Sequence, residues 1–239
     1  MARVVRAGRL VAAVAAVSLL GGAVVGCGSG SGEGKPVAAS EVPVRTSPIA
    51  AQLAGLPAVV DGARIVVGKP DAPRTAQVLV DPKCGHCARF EEAGGESLLK
   101  SAVAGQVKIE YLLASFLDRD GASGSVRAVN ALRASADSGK FAEYHAAVFA
   151  SQPKGKFTDE LLLRIAYAVP GLRGAGFDAA VKEQKYKEWV AEAERGFEAT
   201  GAQATPMVLV EGKPVGSKDG SLFDAGAFTE TLKGVGIGA

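Results

Sequence analysis

Two cysteines stand two residues apart in Cys84-Gly85-His86-Cys87, and the third, Cys27, lies far upstream. A dithiol with this spacing at the start of a helix suits thiol–disulfide exchange. The helix N-terminus and its unpaired amide hydrogens stabilise a thiolate on the first cysteine, so Cys84 is the expected nucleophile. Cys87, nearly one turn on, is placed to resolve the mixed disulfide formed with a substrate. A protonated His86 between them adds a positive charge that lowers the attacking thiol's pKa further. Stabilising the reduced thiolate makes the disulfide form a stronger oxidant, which is the property of a disulfide donor.

Two other uses of the pair are weaker. A structural staple closing so short a loop removes little chain entropy. Half of a zinc site needs two more soft ligands, and the chain offers no further cysteine pair and only His86 and His145 as imidazoles. No metal and no cofactor are therefore expected. His145, in Phe141-Ala142-Glu143-Tyr144-His145, reads as a partly buried helix residue without a catalytic role, because it lies on an apolar helical face.

The rest of the chain says where this chemistry takes place. Three arginines, Arg3, Arg6 and Arg9, precede an apolar run from Leu10 to Val25 in which only Ser18 is polar. The run is too short for a spanning helix and reads as a secretory signal. It ends at Val24-Val25-Gly26-Cys27, which resembles a bacterial lipobox, so residues 1–26 are expected to be removed and Cys27 to carry lipid. Lipidation leaves Cys84 and Cys87 as the two remaining thiols, in a compartment where disulfides persist. The 27 basic residues against 25 acidic ones become 24 against 25 once the leader arginines are removed. That balance lacks the clustered excess of Lys and Arg that nucleic-acid binding requires. With 239 residues, 48% hydrophobic and 22% charged, the chain is long and apolar enough for one modest globular domain.

Residues 27–58, rich in Gly, Ser, Pro and Ala and without a clear period, read as a flexible tether, with the folded part starting near Val59. Ala63 to Val67 and Ala76 to Val80 read as strands around a turn at Gly68 to Pro73. Cys84 to Lys100 reads as a helix interrupted at Gly94-Gly95, and Val107 to Leu113 as a buried strand. Residues 120–200 carry helical periodicity, including one segment from Phe177 to Ala199. Met207 to Val210 is a last strand, followed by a turn at Glu211 to Lys213 and a helix over Phe223 to Leu232 preceded by Ser221. The pattern is a parallel-sheet unit split by a helical block.

Ile65 to Pro73, the strand ending Asp81-Pro82-Lys83, the dithiol with Phe90-Glu91-Glu92, Asn130 to Phe149, and Ala204-Thr205-Pro206 occur in the order found in one family. Over Val59 to Leu232 the chain resembles the DsbA-like branch of thioredoxin-fold thiol:disulfide oxidoreductases. The resemblance implies an α/β thioredoxin domain over 59–239 with a helical insertion. It also implies that Pro206 is a cis-proline beside the disulfide and that Thr205 presents backbone groups to an extended substrate segment. Gly85 departs from the proline that many of these relatives carry there. It gives the pairing seen in protein disulfide isomerase, near −180 mV, against about −120 mV for DsbA. Where thioredoxins keep a buried acid, this chain has Val78; Asp81, Lys108 and Glu110 are the alternatives for proton handling.

The expected function is oxidation of dithiols in exported proteins by a monomer, lipid-anchored on the outer face of the cytoplasmic membrane. A quinone-linked membrane oxidase, implied by the family, would recycle it. A reductase or isomerase of the cell envelope and a redox-silent partner-binding lipoprotein are the alternatives.

Overall fold

The computed structural model describes residues 42–238. The segment read as a leader, the expected lipidation site at Cys27 and the glycine-serine segment after it lie outside the described residues. Among the described residues no helix is long and apolar enough to cross a membrane.

Among the described residues six strands form one mixed sheet in the order β1-β2-β4-β3-β5-β6. They span Ala58–Asp61, Arg64–Val67, Thr75–Val80, Lys108–Leu113, Met207–Val210 and Lys213–Pro214 for β1, β2, β3, β4, β5 and β6. Only β3 and β4 run parallel, with Val78 opposite Tyr111 and Val80 opposite Leu113; every other pair is antiparallel. The sheet is thus less parallel than the sequence suggests, because β2 and β5, which flank the central pair, both run antiparallel to their neighbours in it. At the β5–β6 turn Glu211 and Gly212 both take positive φ, 48° and 75°, as a tight two-residue hairpin requires.

The ends of β3 and β4 nearest the dithiol are buried on both faces, with the sequences Val78-Leu79-Val80 and Tyr111-Leu112-Leu113. Side chains at alternating positions, such as Val78, Val80, Tyr111 and Leu113, enter the main core, while Leu79 and Leu112 meet Phe197 on the opposite face. Phe197 comes from α8 (Lys187–Ala199), the last helix of a block that also contains α4 (Ser125–Asp137), α5 (Phe141–Ala150), α6 (Asp159–Tyr167) and α7 (Ala175–Lys182). The periodicity from Phe177 to Ala199 is broken into α7 and α8. Gln184 adopts φ 50°, and the Asn130 side chain accepts a hydrogen bond from Tyr186 N at 2.8 Å. That tertiary tie is invisible to a local pattern.

The folded region begins earlier than Val59. Val42, Ile49, Leu53 and Leu56 are buried in the main core, and Ala50–Leu53 forms a short helix, α1. Arg164 donates to the Val42 carbonyl at 2.8 Å, and Ser151 Oγ bonds both N–H and C=O of Arg45 at 2.8 and 3.2 Å. The segment packs as an irregular strap, so its apolar residues carry no helical or strand period. At the other end, α9 spans Ala225–Gly234, and its cap is Asp224, which accepts from Ala227 N at 2.7 Å. Ser221 opens a separate 3₁₀ turn, Ser221–Phe223, ahead of it.

The helix that carries the dithiol is continuous where the sequence predicts a break. It runs as α2 (Gly85–Phe90), a π turn over Glu91–Gly95, and α3 (Glu96–Val103). The two glycines permit close approach there. A Cβ on Gly94 would stand 2.7 Å from the Leu222 carbonyl oxygen and 2.9 Å from the Phe228 ring. A Cβ on Gly95 would stand 2.7 Å from Glu91 Oε2. Gly94-Gly95 thus lets the helix pass beneath the Ser221–Phe223 turn and α9 without ending.

Candidate active site

Cys84 is the N-cap of α2, with extended backbone (φ −73°, ψ 117°), and both thiols are free. Cys84 is half-buried and Cys87 is buried, on the inner face of the helix with Phe90. Facing them is the Thr205–Pro206 loop that leads into β5, and its peptide bond is cis. Cys84 Sγ lies 3.5 Å from the Thr205 carbonyl oxygen. Thr205 Oγ1 is buried without a formed hydrogen bond, and its hydroxyl lowers the pKa of both thiols. The dithiol and the Thr205–Pro206 loop, 121 positions apart in the chain, thus form one site.

Electrostatics separate the two thiols. Cys84 is pulled down to about 5, first by a hydrogen bond from the Cys87 thiol; burial opposes the shift, and the Thr205 hydroxyl and the backbone N–H groups of Cys87 and His86 add to it. Cys87 is pushed far up, first by burial and then by its bond to the Cys84 sulfur and that sulfur's charge. One thiol therefore ionises readily and the other holds its proton. His86 takes part through its backbone. Its ring is exposed and tilts over Phe223 at 5.9 Å, while Arg89 covers the same ring at 4.9 Å. Gly85 is exposed, and a Cβ there would meet nothing within 4 Å.

Of the three alternatives for proton handling, one is at the site. Asp81 is fully buried just before the dithiol and accepts from Ser125 Oγ at 2.5 Å, Lys83 N at 2.8 Å and Leu117 N at 3.1 Å. Burial raises its pKa to about 6 against the pull of those three donors, and the nearby Cys84 charge raises it further. Glu110 is committed elsewhere, accepting from Gln77 at 3.1 Å and facing Arg64 at 3.8 Å. Lys108 lies at the opposite end of β4 from Leu113, paired with Thr75 at the start of β3. Its place is therefore at the far end of the sheet from the dithiol, which follows β3.

His145 is more deeply enclosed than its helical face suggests. It is fully buried, with Nε2 3.1 Å from Glu91 Oε1, among Tyr111, Phe141 and Phe149 at ring distances of 4.4, 5.2 and 4.7 Å. Glu91 follows Cys87 by four positions, a spacing that puts both on one helix face and was legible in the sequence. The tie from Gln152 to the Pro82 and Cys84 carbonyls had no local signal.

A family model described as Thioredoxin matches residues 61–224, more than half of the chain. The chain belongs to the thioredoxin family. Its likeness to solved structures is to the DsbA-like form. MdbA, a thiol-disulfide oxidoreductase from Actinomyces oris, is 25% identical at a TM-score of 0.63, over 77% of this chain and 92% of that one. MdbA from Corynebacterium diphtheriae is 24% identical at 0.60, over 70% and 90%. BdbD from Bacillus subtilis is 22% identical at 0.58, over 81% and 97%. The last two bear on fold alone. Family, fold and dithiol together make this chain a thiol:disulfide oxidoreductase of the DsbA/thioredoxin type. The chain spans 9% of the length of a curated relative it matches, a hydroxyurea phosphotransferase of Kitasatospora aureofaciens, 69% identical over 32 residues, or 13% of this chain. So short a match carries no argument about activity.

Proposed function

We propose that this oxidoreductase donates its Cys84–Cys87 disulfide to dithiols of newly exported polypeptides. The observation that carries the reading is the contrast between an acidic, half-buried Cys84 and a buried Cys87 that keeps its proton. A group that stabilises the thiolate stabilises the reduced couple and has no counterpart in the disulfide, so the disulfide form becomes the oxidant.

In the first step a substrate thiolate attacks the Cys84 sulfur. A bond forms between the substrate sulfur and Cys84 as the Cys84–Cys87 bond breaks, and Cys87 leaves and takes up a proton. The second substrate thiolate then attacks the substrate sulfur of this mixed disulfide. The substrate disulfide forms and Cys84 departs as its stabilised thiolate, a good leaving group because its pKa is low. Two electrons have passed from substrate to protein. Thr205 and cis Pro206 offer backbone groups to an extended segment of substrate, a contact that reads little of its sequence.

The arginine-led apolar run and Val24-Val25-Gly26-Cys27 support export and a lipid anchor at Cys27 on the outer face of the cytoplasmic membrane. A quinone-linked membrane oxidase would return the couple to the disulfide. Acid trapping and alkylation of Cys84 and Cys87 in cells tests the direction. Mostly oxidised cysteines are expected; a mostly reduced pair would make the protein a reductase or isomerase.

A further inference from the structure

The loop joining α5 to α6 reaches across to the dithiol. Gln152 is half-buried, and its Nε2 donates to the Pro82 carbonyl at 2.7 Å and to the Cys84 carbonyl at 3.1 Å. The next residues return the contact: Lys83 Nζ donates to the Pro153 carbonyl at 2.7 Å and to that of Lys154 at 3.5 Å. On the other side of Gln152, buried Ser151 holds the Arg45 backbone through both its N–H and its C=O. The loop is thus fixed from the strap while the Gln152 amide grips the segment that leads into α2.

That grip falls where it affects the sulfur. As N-cap, Cys84 has a carbonyl that already belongs to the helix, accepting from Ala88 N at 3.1 Å, while its side chain must turn back to the N–H groups of His86 and Cys87. With the Cys84 carbonyl held by Ala88 and Gln152, and the Pro82 carbonyl held by Gln152 as well, rotation of the peptide planes around Cys84 is resisted. The Gln152 amide also brings the positive end of its dipole to this segment. Both effects favour the ionised sulfur.

We propose that Gln152, in the helical insertion, is a positioning residue for the Cys84 thiolate, pinning the Pro82 and Cys84 carbonyls so that the sulfur stays on the amide hydrogens of the helix N-terminus. The proposal rests on Cys84 being the exchanging thiol. It gives the insertion a part in setting the redox poise as well as covering the core.

The test uses the whole protein with Gln152→Ala and Gln152→Glu, the second keeping the size of the side chain but offering no donor. Three quantities are measured: the pH dependence of Cys84 alkylation, the potential against glutathione, and the unfolding midpoint. Gln152→Ala is expected to shift the Cys84 ionisation constant about threefold toward the thiol, which corresponds to a potential about 15 mV more negative. Gln152→Glu is expected to shift it about tenfold, or about 30 mV, because a carboxylate faces two carbonyls and a thiolate. An acidic Cys84 in the wild type with unchanged titration and potential in both variants overturns the proposal, whatever happens to the midpoint. A wild type in which Cys84 itself is not acidic would instead overturn the functional reading beneath it.

Discussion

Two pairs of ionisable side chains lie close together, one on the active-site helix and one between that helix and α5, and the fold treats them in opposite ways. Cys84 and Cys87 open the helix near the surface, where the Thr205 hydroxyl and two backbone N–H groups converge on the first sulfur. Glu91 and His145 meet one turn later, where the helix widens into its π turn, and none of their four side-chain polar atoms has a formed hydrogen bond. Aromatic rings enclose the imidazole. The contrast teaches that a polar pair beside this helix serves exchange only where donors converge on one of its atoms, as they do on the Cys84 sulfur. The second pair, sealed from solvent, joins the helix to α5 and acts on stability.

The separation can be broken most forcefully at Glu91. Removing Glu91 leaves the buried imidazole of His145 without the carboxylate that faces it, and leaving a buried polar group unpaired costs about 1–3 kcal/mol. Glu91→Ala should lower the unfolding free energy by about that amount in the oxidised and reduced forms alike, leaving the Cys84 titration in place. Replacing both members by apolar residues, Glu91→Met with His145→Leu, should recover most of the loss. A Cys84 titration that moved with Glu91→Ala would show that the pairs are one system.

Asp81 sharpens the boundary between the two regions, being buried like Glu91 but hydrogen-bonded like Cys84. Its folded pKa, about 6, is raised above the ordinary 3.8, so its carboxyl favours folding when protonated. That contribution is fully present below pH 3.8 and is lost as the pH rises through about 6. Urea unfolding of the oxidised protein, which has no titrating thiolate, should therefore gain about 2 kcal/mol from this group between pH 7 and pH 4. In Asp81→Asn that part of the pH dependence should vanish; if it persists, another group carries it.

His86 should have the smallest effect. Its ring is exposed over Phe223, and its resolved effect on Cys84 comes through the backbone N–H, which any residue but proline supplies. His86→Ala should make the potential more negative by no more than about 30 mV, the equivalent of 1.4 kcal/mol. A larger shift would mean that the imidazole charge dominates the poise of the dithiol.

The dithiol and the core strands were legible because each has a local signature, cysteine spacing and short apolar runs, and the Thr205–Pro206 loop was legible through the family resemblance. The strap from Val42 to Leu56 was not, since its buried residues follow the contour of α5 and α6 with no period of their own. The glycines at 94 and 95 looked like a helix break, and only the proximity of Leu222 and Phe228 explains why the helix continues through them. Gln152 is polar, lies in a loop and sits 68 positions from Cys84, so nothing short of the tertiary structure could place it at the site.

The central claim is that an acidic Cys84 stabilises the reduced protein and thereby makes the disulfide an oxidant. The folded pKa of Cys84, about 5, is depressed below the ordinary 9.0. Its contribution to the reduced form is therefore present above pH 9.0 and is lost as the pH falls through about 5. The direct measurement is denaturant unfolding of the oxidised and reduced proteins side by side from pH 8 to pH 4. The account predicts a reduced form that is the more stable at pH 7, with the advantage shrinking as the pH falls through about 5. An oxidised form more stable at pH 7, or a difference that does not change with pH over this range, would contradict it.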